Sequence, residues 1–168
     1  MTGIGDIPMD EHRRFMRLAI DEARKAEDAG EVPTGCVIVE PDADGSTAGA
    51  RILGRGRNSV EASGNPTAHA EIMAISEACR ARGDFRLDGT IMYVTKEPCA
   101  MCAGAIVLAR IPIVVWGMSD PARGGQSAFG ILDSEALINR SSVLGGVCGE
   151  ECLSMMQAFF RARRTAAK

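Results

Sequence analysis

The pattern of apolar and polar residues predicts that helices and strands follow one another along this chain of 168 residues. An opening amphipathic helix is predicted ahead of Gly30, a typical helix stop, because five apolar residues recur there at helical spacing: Phe15, Leu18, Ala19, Ala23 and Ala26. Two short strands follow, "CVIVE" at residues 36–40 and "RILGRGRN" from residue 51. The polar residues between them predict a long, mobile hairpin loop.

A second helix, which contains the segment "TAHAEIMAISEACRAR", is predicted to begin at Pro66 and to end at Gly83. Proline suits the first turn of a helix, and glycine is common immediately after the last turn. The helical period places Ile72, Ile75 and Cys79 on a shared face, which we expect to be buried.

The rest of the chain continues the alternation of strands and helices. A strand over residues 90–95 leads to a helix that begins at Pro98, and "IPIVVWG" is a fourth strand. Residues 118–139 are rich in glycine and serine and predict loop with a short helix, before a fifth strand "SVLGGV" and a closing helix "EECLSMMQAFFRARR". This order favours a mostly parallel α/β sheet covered by helices.

Composition restricts the class of protein. The hydrophobic fraction of 46% is enough for one core, so residues 1–168 are predicted to form a single domain. The chain has no run of 18 apolar residues and no secretory pattern at its start, so we expect a cytoplasmic location and no membrane association. In a reducing compartment, six cysteines favour thiols or metal ligands over disulfides. A net charge of −3 gives no global signal for nucleic acid, so a polyanionic partner would need a local basic patch.

Cys99 and Cys102 form a C-x-x-C motif at the start of the third predicted helix. Three interpretations are compatible with this motif: two small core residues, a redox-active pair of thiols, or two ligands of a metal. Four-cysteine zinc sites need a second pair, and Cys148 and Cys152 are the only candidates. Their apolar neighbours favour a position in the core.

His69 supplies the third ligand that a catalytic zinc site needs, because two cysteines and one histidine are a recognised set that leaves one position for water. Glu71 lies about 200° further round a regular helix, so both side chains reach one cavity only if the end of the helix points towards it. A carboxylate beside the activated water can accept its proton and pass it on. The order H-x-E followed by P-C-x-x-C is the signature of zinc nucleobase deaminases, which hydrolyse an amidine and release the amine.

These motifs resemble the cytidine deaminase superfamily, and more specifically its bacterial tRNA-specific adenosine deaminase branch. The resemblance covers residues 15–164 and rests on "EVPTG", "GRGRN", "NPTAHAEIMA", "MYVTKEPCAMCAGAI" and "FFRARR". It implies a three-layer α/β/α sandwich around a five-stranded mixed sheet, a homodimer, and one zinc ion per chain. It also implies His69, Cys99 and Cys102 as zinc ligands and Glu71 as the catalytic proton shuttle. The substrate contacts that it implies are Asn58, Asp120, Ala70 and Pro98.

Three features depart from that branch: the long loop over residues 40–51, the segment "PARGGQSAFG" after Asp120, and the acidic net charge. All three bear on substrate choice, because RNA affinity depends strongly on phosphate contacts. Arg123, Arg161 and Phe160 are candidate nucleic-acid contacts, by charge and by base stacking. Further basic residues would extend these contacts into a local basic strip. Phe159 is a second aromatic candidate, but a position in the hydrophobic core suits it equally well. The additional basic residues are Arg110, Arg163, Arg164 and Lys168.

Three functional hypotheses follow. The first is a zinc-dependent deaminase that converts adenosine to inosine at the wobble position of a tRNA anticodon stem-loop. The second is a zinc deaminase of free bases or nucleosides, such as guanine or cytosine. The third is a non-catalytic or thiol-redox protein. The sequence does not decide between a tRNA and a small-molecule substrate.

Overall fold

The computed structural model describes residues 3–166 and places a five-stranded sheet between two layers of helices. A single turn of 3-10 helix, Ile4–Asp6, precedes the regular elements. The helices are α1 (Met9–Asp28), α2 (Val60–Ser63), α3 (Ala70–Arg82), α4 (Ala100–Leu108) and α5 (Gly149–Ala166). The strands are β1 (Gly35–Glu40), β2 (Arg51–Arg57), β3 (Ile91–Lys96), β4 (Ile113–Met118) and β5 (Ser142–Leu144). Within residues 3–166, no helix is both long enough and apolar enough to cross a membrane.

The strand order is β2-β1-β3-β4-β5, and the sheet is mixed. β1 pairs antiparallel with both β2 and β3, whereas β4 pairs parallel with β3 and with β5. The mixed sheet implied by the family resemblance is therefore confirmed. The mostly parallel sheet predicted from the order of elements holds only for β3, β4 and β5, because the other two of the four pairings are antiparallel. The hairpin β1–β2 and the reversal at β3 explain the difference, because a short connection joins antiparallel strands and a crossover helix joins parallel ones.

Alternate residues of the strands face the two helical layers, as the period of two in a strand requires. In β1, Val37 and Val39 pack in a cluster with residues of α1 and α5, whereas Cys36 and Ile38 pack in a cluster with residues of α3 and α4. The same alternation runs through β3 and β4. The three-layer α/β/α arrangement is thus confirmed, and both faces of the sheet are covered.

Helix α3 lies unusually close to the sheet because glycines of β2 face it. A Cβ atom on Gly56 would lie 2.0 Å from the carbonyl oxygen of Ala70, and one on Gly54 would lie 2.3 Å from that of Ala74. The buried face of α3 therefore consists of small residues, including Ala70, Ala74 and Ala78. The face predicted from the larger apolar residues is only partly buried: Ile75 and Cys79 pack against the edge of the core, and Ile72 is half-buried.

The start of α3 also differs from the prediction, because the helix begins at Ala70 rather than at Pro66. The side-chain oxygen Oδ1 of Asn65 accepts hydrogen bonds from the backbone N–H of Thr67 (2.9 Å) and from its hydroxyl (2.8 Å). This local turn competes with helix formation around Pro66. As a result His69 becomes the extended N-cap residue of α3, with its side chain at the tip of the helix.

The long β1–β2 loop is anchored to α1 by hydrogen bonds. Arg14 donates to the carbonyl oxygen of Thr47 (2.6 Å), and the Thr47 hydroxyl donates to Glu11 (3.2 Å). The loop follows the C-terminal end of β1, about 20 Å along the sheet from the residues that precede this strand. The loop is therefore remote from the edge of the sheet at which β1 begins.

Candidate zinc and active site

The candidate site is a cavity of about 230 Å³ at the edge of the sheet where β1 begins and β2 and β3 end. Because β1 runs antiparallel to both neighbours, the start of one strand and the ends of the other two meet there. The N-termini of α3 and α4 converge on the same edge. The walls include Thr34, Asn58, His69, Glu71, Lys96 and Cys99.

His69, Cys99 and Cys102 form a cluster whose ligand atoms all lie within 4.8 Å of one another. The Nδ1 atom of His69 lies 3.6 Å from the Cys99 Sγ and 3.5 Å from the Cys102 Sγ. Tetrahedral zinc, with bonds of about 2.0 Å to nitrogen and 2.3 Å to sulfur, places these atoms about 3.6 Å apart. The predicted ligands are therefore brought together with the spacing that zinc requires.

The pKa values of the two thiols of the C-x-x-C motif shift in opposite directions. The pKa of Cys99 is lowered to about 3, chiefly by the hydrogen bond from Cys102 and then by that from His69. The hydrogen bond with the Cys99 thiolate, together with burial, raises the pKa of Cys102 far above its ordinary value. Two thiolates in contact repel one another, so a divalent cation is needed to hold both in the ionised form. The donor set therefore fits zinc, whose thiolate ligands are ionised.

Glu71 lies in the same cavity and is buried, with 3% of its surface exposed. Burial is the main cause that raises the pKa of its carboxyl group above the ordinary value. His69 is the N-cap residue of α3 and Glu71 is in the first turn, so the tip of the helix brings both side chains to one cavity despite the angle between them. The cluster of candidate ligands does not include the Glu71 carboxylate. Its position therefore suits proton transfer beside the cluster.

The other predicted substrate contacts lie at different depths around the cavity. Asn58 lines it, and its backbone N–H donates to the carbonyl oxygen of Thr34 (3.1 Å). Ala70 and Pro98 are buried next to the ligands but do not form its walls. Asp120 follows β4 and lies outside the cavity, where its carboxylate forms an ion pair with Lys96.

Sequence reasoning missed the two charged residues Lys96 and Glu97, which both line the cavity. Glu97 is 1% exposed, and its carboxylate accepts hydrogen bonds from the backbone N–H groups of Asp120 (2.8 Å) and Ser127 (2.6 Å) and from the Ser127 hydroxyl (2.8 Å). It thereby fixes the segment after β4 against the site. The available signal was the position of two charged residues at the end of an otherwise apolar strand, directly before the C-x-x-C motif.

The candidate nucleic-acid contacts are spread over several surfaces. Arg123 is exposed in the segment that follows Asp120, next to the site. Arg161 and Phe160 are exposed on α5 and share a surface depression, but they do not line the cavity. Arg110 follows the C-terminal end of α4, whereas the site lies at its N-terminal end, so these basic residues do not form one strip. Arg163 and Arg164 are also exposed on α5, Phe159 is buried, and Lys168 lies outside the described residues.

The two remaining C-terminal cysteines belong to the core, as predicted. Cys152 is buried in the cluster on the α1 side of the sheet, and Cys148 packs against that cluster. Within residues 3–166, His69, Cys99 and Cys102 are the only group of three or more candidate ligands close enough to hold one metal ion.

Comparison with known proteins agrees with this geometry. Residues 9–118 match the model of the cytidine and deoxycytidylate deaminase zinc-binding region. The chain belongs to the cytidine and deoxycytidylate deaminase family. A tRNA-specific adenosine deaminase of Bacillus subtilis (strain 168) is 43% identical over 162 residues, which are 95% of each chain.

Two solved structures of this deaminase fold illustrate the range of relatives. A chain from a study of A-to-I editing by tRNA:A34 deaminases at the wobble position is 38% identical, with a TM-score of 0.76 over 84% of this chain and 98% of the other. Guanine deaminase from Bacillus subtilis is 39% identical, with a TM-score of 0.57 over 64% of each chain. The family resemblance inferred from the sequence is confirmed.

Proposed function

We propose that this deaminase is a zinc-dependent hydrolase that converts adenosine to inosine at the wobble position of a tRNA anticodon stem-loop. The observation that carries the chemistry is the cluster of His69, Cys99 and Cys102 beside the buried carboxyl group of Glu71 in one cavity. The observation that supports the substrate is the 43% identity to a tRNA-specific adenosine deaminase over 95% of the chain. We propose one zinc ion per chain, since three ligands define one site.

In this mechanism the protein positions the reactants and moves protons. A zinc ion held by His69, Cys99 and Cys102 would supply the Lewis acidity that makes water a nucleophile near neutral pH. Glu71 accepts a proton from this water and delivers protons to the ring nitrogen and to the departing amine. Its raised pKa suits this role, because a group that both takes and gives protons works best when its pKa is near the working pH. Water replaces the exocyclic amine of adenine, and ammonia leaves.

We propose that Asn58 orients the target nucleoside through its side-chain amide, because among the described residues that line the cavity it is the only one with an amide side chain. Ala70, Pro98 and Asp120 are assigned to the surroundings of the substrate. Outside the cavity, the exposed side chains proposed to contact the tRNA are Arg123, Arg161 and Phe160.

We also propose that the protein acts as a homodimer in the cytoplasm, with residues 1–168 as one domain. Support for the dimer comes from α4, which buries one apolar side and exposes another. On the exposed side Leu108 is 75% exposed and Met101 is 38% exposed. An unpartnered apolar helix face of this kind is typical of a protein interface.

A deaminase of free bases is the second candidate, and the likeness to guanine deaminase favours it. Such an enzyme would use the same zinc cluster and the same glutamate, so only the substrate distinguishes the two functions. A thiol-redox protein is the third candidate, and it would not need a bound metal.

Metal analysis and one conservative substitution test the proposed chemistry. We expect about one zinc ion per chain, lost in His69→Ala and Cys99→Ser and retained in the matched control Cys152→Ser, whose side chain lies in the core on the other face of the sheet. Glu71→Gln should retain zinc and lose about 10²-fold or more of the deamination rate, because the amide keeps the size but cannot accept the proton. Full zinc in Cys99→Ser, or activity of Glu71→Gln within tenfold of the wild type, would show that these roles are assigned wrongly.

A further inference from the structure

Among the residues that the structure describes, Lys96 is the only lysine or arginine in the walls of the candidate site. It is the last residue of β3, and its side chain is 27% exposed at the mouth of the cavity. Its ammonium nitrogen lies 2.6 Å from the Oδ2 atom of Asp120. The only permanent positive charge of the cavity is therefore held at the rim, where a polymeric substrate must enter.

The carboxylate of this ion pair is held in place by bonds that do not involve Lys96. The backbone N–H of Asp120 donates to Glu97 (2.8 Å), and the backbone N–H of Arg123 donates to the Oδ1 atom of Asp120 (3.2 Å). Glu97 is in turn fixed by two hydrogen bonds from Ser127. The acceptor is rigid, whereas a lysine side chain has four rotatable carbon–carbon bonds and three donor hydrogens. Lys96 can keep one donor on Asp120 and offer the others to a second anion.

A merely structural role for this ion pair would be redundant. The segment after β4 is already attached to the site by the three hydrogen bonds of Glu97 and by the backbone hydrogen bond from Gly125 to Pro98 (2.7 Å). A partly exposed ion pair adds little to stability on its own. We therefore expect Lys96, at the cavity mouth, to bind a ligand.

The charges around the mouth indicate what that ligand is. Glu71 and Glu97 line the cavity and Asp120 lies outside it beside Lys96, and an RNA substrate brings further negative charge on the phosphates that flank the target nucleotide. When a base enters the cavity, the adjoining backbone must pass close to these carboxylates, which repel it. A lysine at this position neutralises Asp120 and binds phosphate as a compact point charge.

We propose that Lys96 binds a phosphodiester of the RNA directly next to the target nucleotide, and that its ammonium group is shared between this phosphate and Asp120. This inference rests on the proposed function, because a free base carries no phosphate. Lys96 thereby becomes a residue that favours polynucleotide over free-base substrates and places the target base against Glu71.

The test compares zinc-loaded wild-type protein with Lys96→Met, which keeps the length of the side chain and removes its charge. Lys25→Met is the matched control, because Lys25 is also ion-paired to one carboxylate, Glu22 (2.7 Å), and does not line the cavity. Binding of an anticodon stem-loop with adenosine at the wobble position is measured as salt rises. Lys96→Met should bind about fivefold more weakly at low salt, and the slope of log affinity against log salt should fall by about one. Lys25→Met should match the wild type, and Lys96→Arg should restore the slope.

A second measurement separates phosphate binding from any effect on Asp120. Stem-loops are made with one neutral methylphosphonate linkage at a time on either side of the target adenosine. At one linkage the wild type should lose about fivefold in affinity, whereas Lys96→Met should lose nothing further, since the interaction is already absent. An unchanged salt slope in Lys96→Met, or equal losses at every linkage in both proteins, would overturn the proposal. If the wild type does not deaminate the stem-loop at all, the proposed function fails instead.

Discussion

The close approach of α3 to the sheet leads to a prediction that links packing to metal binding. Gly56→Ala would place a Cβ atom 2.0 Å from the carbonyl oxygen of Ala70 and 2.5 Å from the backbone nitrogen of Ala74. Ordinary van der Waals contact begins near 3.4 Å, so the first turn of α3 must move away by about 1.4 Å. Both groups in contact belong to the backbone, so no side-chain rotation can relieve the clash.

This displacement is large compared with the tolerance of a metal site. Ligand distances in zinc sites vary by only about 0.2 Å, and His69 is the N-cap residue directly before Ala70. We therefore expect Gly56→Ala to weaken zinc binding by about tenfold or more. Overpacking of this kind costs about 1–3 kcal/mol, which lowers the melting temperature of a chain of this size by roughly 3–10 °C.

The controls come from the same strand and from an open position. Gly54→Ala places its Cβ 2.3 Å from the carbonyl oxygen of Ala74, further along α3, and should reduce the melting temperature while retaining zinc affinity. Gly5→Ala has no atom within 4 Å of the added Cβ and should change neither quantity. Thermal unfolding followed by circular dichroism and zinc competition with a chelator provide the two readouts. Wild-type stability and zinc affinity in Gly56→Ala, or equal loss of zinc in Gly54→Ala, would refute the reasoning.

Three further predictions concern buried polar and sulfur groups. Glu97→Gln should lower the melting temperature and speed hydrogen exchange at the backbone amides of Asp120 and Ser127, because the amide offers one acceptor oxygen in place of two; unchanged exchange would contradict this. Burial lowers the pKa of His12 from 6.5, so its neutral form stabilises the fold above pH 6.5 and this stability is lost as pH falls through the folded pKa. Melting temperatures should therefore fall more steeply below pH 6.5 in the wild type than in His12→Gln. Cys152→Ser should lower the melting temperature more than the deamination rate, and the reverse order would place this thiol in the site.

The sequence predicted the elements well where a short pattern determines them. The apolar strands and the long helices were found, because their periods of two and 3.6 residues are visible in the sequence. The start of α3 was missed because the Asn65 side chain satisfies the backbone of Thr67 in a turn, which outweighs the preference of Pro66 for a helix. The buried face of α3 was missed because glycines in another strand decide which residues fit against it.

In the candidate site too, residues that a short motif identifies were predicted, and residues that depend on contacts between distant segments were not. His69, Glu71, Cys99 and Cys102 were recognisable because the chemistry of a zinc deaminase needs these residue types in this order. Lys96 was not recognised, since its partner Asp120 is 24 positions away and the pair exists only once β3 and β4 lie side by side. Likewise, the loop over residues 40–51 departs from the family pattern but lies at the far end of β1 from the cavity, so it does not form part of the site.

The proposed substrate is tested by comparing several substrates with one preparation of zinc-loaded protein. Inosine formation is measured in an anticodon stem-loop with adenosine at the wobble position, and ammonia release is measured with guanine, cytosine and free nucleosides at the same concentrations. We predict efficient turnover of the stem-loop, abolished in Glu71→Gln, and almost no turnover of free adenosine, because contacts with the flanking nucleotides are needed to hold the base in the cavity. Rapid release of ammonia from guanine together with an inert stem-loop would contradict it.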